Sequence, residues 1–320
     1  MSIAILGAGA FGTALGISLT QAGHGVTIWA RDPYAVSRIR DHRSSPRLPG
    51  VRIPDKLCAV TNLQDAASAD IILVAVPAQS LRKLLRKIEV PLDDKKIVLC
   101  CKGIDLETGL GVAELTRQAA PAAKIAVLTG PSFASDIASG LPTALTLACQ
   151  DPETGRTLQE ALSTPVLRLY TTTDTIGAEL GGALKNVMAI ACGACIGAGL
   201  GNSARAALMT RGFAEMTRLA TQLGAQADTM SGLSGLGDLT LTCTSDQSRN
   251  FRFGLSLGHG EDFEPSVTVE GAATARAAAQ LADRHGLSLP ITQAVASLTT
   301  GDLTVADALD QLLSRPLKEE

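Results

Sequence analysis

The sequence predicts an α/β fold in its first half, a doubly wound and mainly parallel sheet, joined to an all-helical C-terminal domain. Three observations carry this. Short apolar runs alternate with helical patterns as far as about residue 175, which is the signature of βαβ units. Beyond that point the strand-like runs stop and alanine-rich helical patterns take over. A chain of 320 residues also exceeds what one hydrophobic core usually serves, so the two patterns read as two domains, 1–180 and 181–320.

Taken in order, the apolar runs place strands at Ile3–Leu6, Val26–Trp29, Ile71–Val76, Ile97–Cys101, Ile125–Thr129, Ala144–Cys149 and Val166–Tyr170. Helices are expected at Thr13–Gln21 and at Ala78–Ile88. In the latter, Leu81, Leu84, Leu85 and Ile88 form one stripe, with Arg82, Lys83, Arg86 and Lys87 on a solvated face. The second half reads as helices at Gly177–Cys195, Ala204–Leu223, Ala272–His285, Ile291–Thr299 and Val305–Leu313, the last opened by Thr304 as a cap.

Composition removes several functional classes. Apolar residues make up 46% and charged residues 18%, a globular mixture rather than a disordered or coiled-coil one. The net charge of −3 gives no global attraction to nucleic acid or anionic lipid, and 3% aromatics supply no stacking platform. Mean hydropathy is +0.21, but the most apolar stretch, from Ala183 to Leu200, holds Lys185 and Asn186. It therefore reads as a buried helix rather than a membrane span. A strand at the very start leaves no room for a signal sequence, and a cytoplasmic protein is expected. Seven cysteines without regular spacing argue for reduced, buried thiols. Cys192-Gly-Ala-Cys195 has no second pair or histidine to complete a metal site, so no metal is expected.

Gly7-Ala-Gly9-Ala10-Phe11-Gly12 follows the first strand and opens the first helix. Such a turn suits a dinucleotide: Gly7 for the tight turn, Gly9 for approach of the pyrophosphate, Gly12 for close helix–strand packing, and the helix N-terminus for the phosphate charge. The domain is thereby a Rossmann-type one. After the second strand, Arg31 favours the 2′-phosphate of NADP, while Asp32, 20 residues beyond Gly12, keeps NAD open.

Five later stretches point to chemistry. Lys102 leaves the fourth of the main strands at its carboxyl end, where open α/β sheets bind ligands. Thr129-Gly130-Pro131-Ser132-Phe133-Ala134 leaves the next, offering backbone donors and a hydroxyl. Lys185 and Asn186 stand on an otherwise apolar helix, and an apolar setting favours a neutral amine suited to acid–base work. The alternative is a lysine that snorkels to solvent. Ser231–Asp238 is a second glycine-rich stretch. It leads to Ser248-Arg249-Asn250, a set suited to a phosphate. Glu270 opens the alanine-rich helix as an N-terminal charge or a ligand contact.

The segments GAGAFGTAL, LPGVRIP, VAVPAQSLR, CKGI, TGPSFA, ELGGALKNVMAIA, ARAALMTRG, GLGDLTLTCTSDQSRN and VEG occur in this order along the whole chain. Together they resemble the bacterial-type NAD(P)-dependent glycerol-3-phosphate dehydrogenases. The resemblance implies reversible hydride transfer between nicotinamide and sn-glycerol 3-phosphate or dihydroxyacetone phosphate, feeding glycerophospholipid synthesis. It also implies a homodimer. Position by position, it implies Lys185 as proton acceptor and substrate contacts at Lys102, Gly130, Ser132, Asp238, Ser248, Arg249 and Asn250. Cofactor contacts are implied at Phe11, Arg31, Lys102, Ala134, Arg249 and Glu270, beside the turn residues Gly7, Gly9, Ala10 and Gly12. The family often has Ser-Trp where this chain has Ala10-Phe11, which loses a hydroxyl and keeps an aromatic. A related hydroxyacid dehydrogenase and a non-catalytic dinucleotide sensor are the rival readings.

Overall fold

The computed structural model describes residues 1–265 and 267–313. It divides into two compact units: Met1–Lys102 with Leu110–Glu179, and Gly103–Gly109 with the chain from Leu180 onward. The short excursion Gly103–Gly109 has no counterpart in the sequence pattern.

The first unit holds an eight-stranded sheet: β1 (Ile3–Leu6), β2 (Val26–Trp29), β3 (Cys58–Val60), β4 (Ile71–Val74), β5 (Lys96–Leu99), β6 (Lys124–Thr129), β7 (Thr143–Cys149) and β8 (Leu167–Thr172). Its order is β3-β2-β1-β4-β5-β6-β7-β8. The first six strands are parallel, β7 runs antiparallel to β6, and β8 is parallel to β7. This is the doubly wound order with its switch point between β1 and β4. Registers such as Ile3 with Val26 and Ile71 put Ile3, Ile5, Ile28, Ile71 and Leu73 on one face. Ala4, Leu6, Ile72, Val74, Ile97 and Leu99 lie on the other. Both faces are buried, which is why these strands read as continuous apolar runs rather than alternating ones.

Helices of this unit are α1 (Ala10–Gln21), α2 (Pro33–His42), α3 (Leu63–Ala67), α4 (Ala78–Leu85), α5 (Val112–Ala119), α6 (Ala134–Ala138) and α7 (Pro152–Leu162). Asp32 starts α2 by accepting a hydrogen bond from the Tyr34 N–H at 3.0 Å, with Pro33 in the first turn. Asp151 starts α7 in the same way. The expected strands all form. The sequence pattern omits β3, whose three residues at the sheet edge make no apolar run.

The remaining helices are α8 (Thr175–Gly197), α9 (Gly201–Gln222), α10 (Ala227–Ser231), α11 (Asp238–Cys243), α12 (Arg249–His259), α13 (Glu270–Arg284), α14 (Pro290–Thr300) and α15 (Val305–Leu313). The unit boundary falls after Glu179, one turn into α8. No strand is found beyond β8 among the described residues. The stretch Ser231–Asp238 is helical rather than a loop, with a π-helical turn at Leu233–Gly237 leading directly into α11. Helix α8 is long and apolar enough to cross a membrane, but 89% of its most apolar window is buried inside the protein. It is a core helix.

One buried carboxylate organises the far end of this unit. Glu215 of α9 is 2% exposed and accepts from the N–H groups of Ile291 and Thr292 at 2.8 and 3.0 Å and from the Thr292 hydroxyl at 3.0 Å. Those amides are the unpaired donors at the start of α14, whose own cap residue, Leu289, has no side-chain acceptor. Burial pushes the Glu215 carboxyl above its usual range, and the three hydrogen bonds act against that. Replacing Glu215 by Ala leaves those donors buried and unmatched. It is expected to cost about 2–3 kcal/mol, read as a lower urea midpoint with unchanged slope.

Candidate functional site

The first unit gathers its candidate residues at the carboxyl ends of β1, β2, β5 and β6. Gly7 ends β1 at φ 123°, and a Cβ there would stand 2.5 Å from the Ala75 carbonyl, so the turn admits only glycine. Gly9 is the N-cap of α1 and faces open space, with nothing within 4 Å of where a Cβ would be. No side chain caps α1. Its N-terminus thus presents amide donors beside a gap that a side chain would fill, an arrangement that fits a dinucleotide pyrophosphate. Gly12 lies against the Gly7 carbonyl and packs on Ala75 and Ile5. Ala10 opens α1, and Phe11 packs partly on the core of the β1–α1 face.

Arg31 is exposed after β2 and makes no hydrogen bond or ion pair among the described residues. Its neighbour Asp32 caps α2 through Oδ1. Lys102 lies three residues beyond the end of β5 and is half-buried. Past β6, Gly130 takes φ 139°, the Ser132 hydroxyl donates to the Gly130 carbonyl at 3.2 Å, and Ala134 opens α6.

The second unit builds its site around α8. Lys185 is 7% exposed, so it does not snorkel. Its Nζ donates to Asp238 Oδ1 and to Thr242 Oγ1, each at 2.7 Å, and the Thr242 hydroxyl lies 3.3 Å from the same carboxylate oxygen. The surroundings are therefore not simply apolar. Burial favours the neutral amine, and a carboxylate in contact favours the ammonium. Asp238 is fully buried at the start of α11, and Thr242 follows one turn later, so a four-residue spacing puts both on one face. Thr242 was not among the sequence candidates. Its role comes from contact with a residue 57 positions earlier, which the local sequence does not report.

Asn250 is the second junction. Its Nδ2 donates to Asn186 Oδ1 at 2.9 Å and its Oδ1 accepts from the Gly271 N–H at 2.9 Å, tying α12 to α8 and to the start of α13. Ser248 caps α12 through the Phe251 N–H at 3.2 Å. Arg249, the first residue of that helix, is exposed and has no partner among the described residues. A cation at a helix N-terminus opposes the dipole, so this position gains from an anion. Glu270 opens α13 and its carbonyl accepts from Thr274.

These positions depend on how closely the helices meet. Gly193 and Gly197 of α8 face Gly254 and Gly258 of α12. A Cβ at Gly254 would lie 2.8 Å from the Ala194 nitrogen and 3.0 Å from the Gly193 Cα. Likewise, Gly181 accepts the π-helical turn, with the Ser234 carbonyl 2.6 Å from where its Cβ would be. Among the described residues no cluster of three or more histidines, cysteines or carboxylates could hold a metal ion. All seven cysteines are free, six of them buried.

With this geometry in place, comparison with known proteins is decisive. The model of the NAD-dependent glycerol-3-phosphate dehydrogenase N-terminus matches residues 2–155, and that of the C-terminus matches residues 174–310. The chain belongs to the NAD-dependent glycerol-3-phosphate dehydrogenase family. It is 59% identical over 321 residues to a glycerol-3-phosphate dehydrogenase (NAD(P)+) of Ruegeria sp. (strain TM1040), covering 100% of both chains. It is 58% identical to one of Roseobacter denitrificans over 323 residues, again covering 100% of each. Among solved structures, the glycerol-3-phosphate dehydrogenase of Coxiella burnetii superposes with a TM-score of 0.92 at 36% identity, covering 98% of this chain and 99% of that one. Membership of this family also settles the fold class as an α/β Rossmann-type domain with a helical C-terminal domain.

The glycine crossing gives a direct test. Gly254→Ala is expected to push α12 away from α8 at a cost of about 1–3 kcal/mol. Denaturant unfolding reads the loss, and a variant as stable as the wild type would mean that the crossing has slack.

Proposed function

We propose that this family member catalyses reversible NAD(P)-dependent oxidoreduction of sn-glycerol 3-phosphate and dihydroxyacetone phosphate, supplying glycerol 3-phosphate for glycerophospholipid synthesis. The observation that carries the reading is Lys185, a buried amine held at 2.7 Å by both Asp238 and Thr242. When bound, the nicotinamide supplies or takes the hydride at substrate C2. Lys185 handles the proton. As the ammonium it donates a hydrogen bond to the ketone oxygen and then delivers its proton there; as the amine it takes the C2 hydroxyl proton in the reverse direction. Asp238 and Thr242 hold Nζ in place, which aims it and stabilises the charged form. Their hydrogen bonds favour an orienting role for Asp238.

Arg249 is the proposed phosphate clamp, with the exposed guanidinium and the start of α12 both drawing an anion. Ser248 and Asn250 are assigned to the same subsite, as are Lys102, Gly130 and Ser132 to the substrate. Binding energy from the phosphate, remote from C2, would then orient the reacting carbon. Gly7, Gly9, Ala10, Phe11 and Gly12 are assigned to the dinucleotide, with Arg31, Lys102, Ala134, Arg249 and Glu270. Domain assignments follow the same reading: 1–180 binds NAD(P), and 181–320 binds substrate and carries the catalytic lysine. A cytoplasmic homodimer completes the proposal, with no nucleic-acid partner, membrane insertion or metal. Free, mostly buried thiols support the reducing compartment, and the dimer rests on the resemblance.

Lys185→Ala is expected to lower kcat by about 10²–10⁴-fold while NADH and NADPH still bind, measured by initial rates with dihydroxyacetone phosphate and by fluorescence titration. Activity close to that of the wild type would remove Lys185 from the chemistry.

Coenzyme choice rests on Arg31. Asp32 Oδ1 caps α2, and the exposed guanidinium of Arg31 is the cation beside it that would meet a 2′-phosphate. Charge-assisted bonds contribute about 1.5–3 kcal/mol, so Arg31→Ala is expected to weaken NADPH roughly tenfold to hundredfold relative to NADH. Added salt should narrow the wild-type gap. Equal losses for both coenzymes would move the 2′-phosphate contact elsewhere.

A further inference from the structure

We infer that Glu179 is a positioning residue for the proposed reaction. It clasps the start of α5 to the N-terminal part of α8, fixing together two of the three places where the chain passes between the units, the return at Leu110 and the exit after Glu179. The inference rests on the proposed function for its catalytic part and on local geometry for the clasp.

Glu179 is nine-tenths buried and lies in the first unit with α5. Its Oε2 accepts from the Ala113 N–H at 3.4 Å, and the Val112 N–H also donates to the carboxyl. These are the first amides of α5, and its N-cap residue, Gly111, has no side chain to satisfy them. The cap therefore comes from 66 residues away. Gly111 makes room for it: a Cβ there would sit 2.6 Å from the Glu179 carboxyl carbon. Its φ of −73° suits any residue, so glycine at this place serves space and not conformation. The other carboxyl oxygen, Oε1, is buried without a partner among the described residues.

The chain topology gives this cap its meaning. The chain leaves the first unit after Lys102, returns at Leu110, and leaves again after Glu179. Val112 and Ala113 follow the return directly, and Lys185 lies six residues beyond Glu179 on the same helix, roughly 9 Å along its axis. Freeing the clasp would let the root of the catalytic helix and the end of the segment that follows Lys102 shift independently. Displacement of a reacting group by about 1 Å can cost about 10²-fold in rate.

The charged groups acting on Glu179 are Arg117 and Glu114 of α5, which pair with each other. Burial outweighs the amide bonds and Arg117, and pushes the carboxyl up to about 7 from an ordinary 4.5. The clasped form thus holds its proton more tightly than the opened one. Closure is strongest below about 4.5 and weakens as pH rises to about 7.

The test uses the full chain with three variants: Glu179→Ala, Gly111→Ala and Glu179→Gln. Hydrogen-exchange protection of Val112 and Ala113 is followed from pH 4.5 to 8, with kcat, KM for dihydroxyacetone phosphate and NADH affinity alongside. Glu179→Ala and Gly111→Ala are expected to lose that protection and about 10–100-fold in kcat, with NADH affinity kept. Glu179→Gln, neutral and of the same shape, should restore both and abolish the pH dependence of protection. Unaltered protection in both alanine variants would overturn the clasp. Lost protection with unchanged kcat would overturn the positioning role. If Glu179→Ala does not fold, Gly111→Ala and the pH response of Glu179→Gln decide the same question. A wild type inert towards dihydroxyacetone phosphate would overturn the reaction and the positioning role with it, while protection still reports on the clasp.

Discussion

A helix that is buried on almost every side and still carries a lysine imposes the constraint on which the second unit depends. Helix α8 keeps Lys185 out of water with a carboxylate in contact, Asp238 at 2.7 Å. Bringing α11 that close requires the π-helical turn to press on Gly181, and bringing Asn250 to Asn186 requires α12 to press on Gly193 and Gly197. The small residues of α8 are thus the reason its polar ones can work. Isolated charges are too costly to bury, so the packing and the chemistry had to be solved together.

The first unit solves a different problem with similar means. Its six parallel strands end in a row, and the turn after β1 must leave backbone amides free while the chain reverses into α1. Gly7 allows the reversal, and at Gly9 the absent side chain leaves the amides accessible. Asp32 illustrates how a local need can share a functional position. Its Oδ1 accepts from the Tyr34 N–H and starts α2, so a residue that the sequence offers to a ribose also serves its own helix.

Much of this is legible in the sequence. The buried parallel strands announce themselves as apolar runs, and the turn after β1 carries its chemistry in its glycines. Lys185 and Asn186 stand out because the helix around them is otherwise apolar. Three features were hidden for physical reasons. Helix α12 carries two glycines that intrinsic propensity counts against a helix, and only the partner helix explains them. Thr242 gains its importance from a contact with a residue 57 positions earlier, which periodicity within α11 does not report. Glu215 and Glu179 look like ordinary charges on helices, yet each caps a helix far along the chain.

The excursion Gly103–Gly109 has a bearing on how such a protein can be reassembled. Ile104, 1% exposed, belongs to the hydrophobic core of the helical unit although it is encoded within the first. A single genetic crossover near residue 180 would therefore hand over a helical cassette lacking one of its own core side chains. The donor of the sheet would be left with seven residues cut to fit a neighbour it no longer has. A productive exchange at that boundary would need a partner whose loop after β5 supplies a matching side chain.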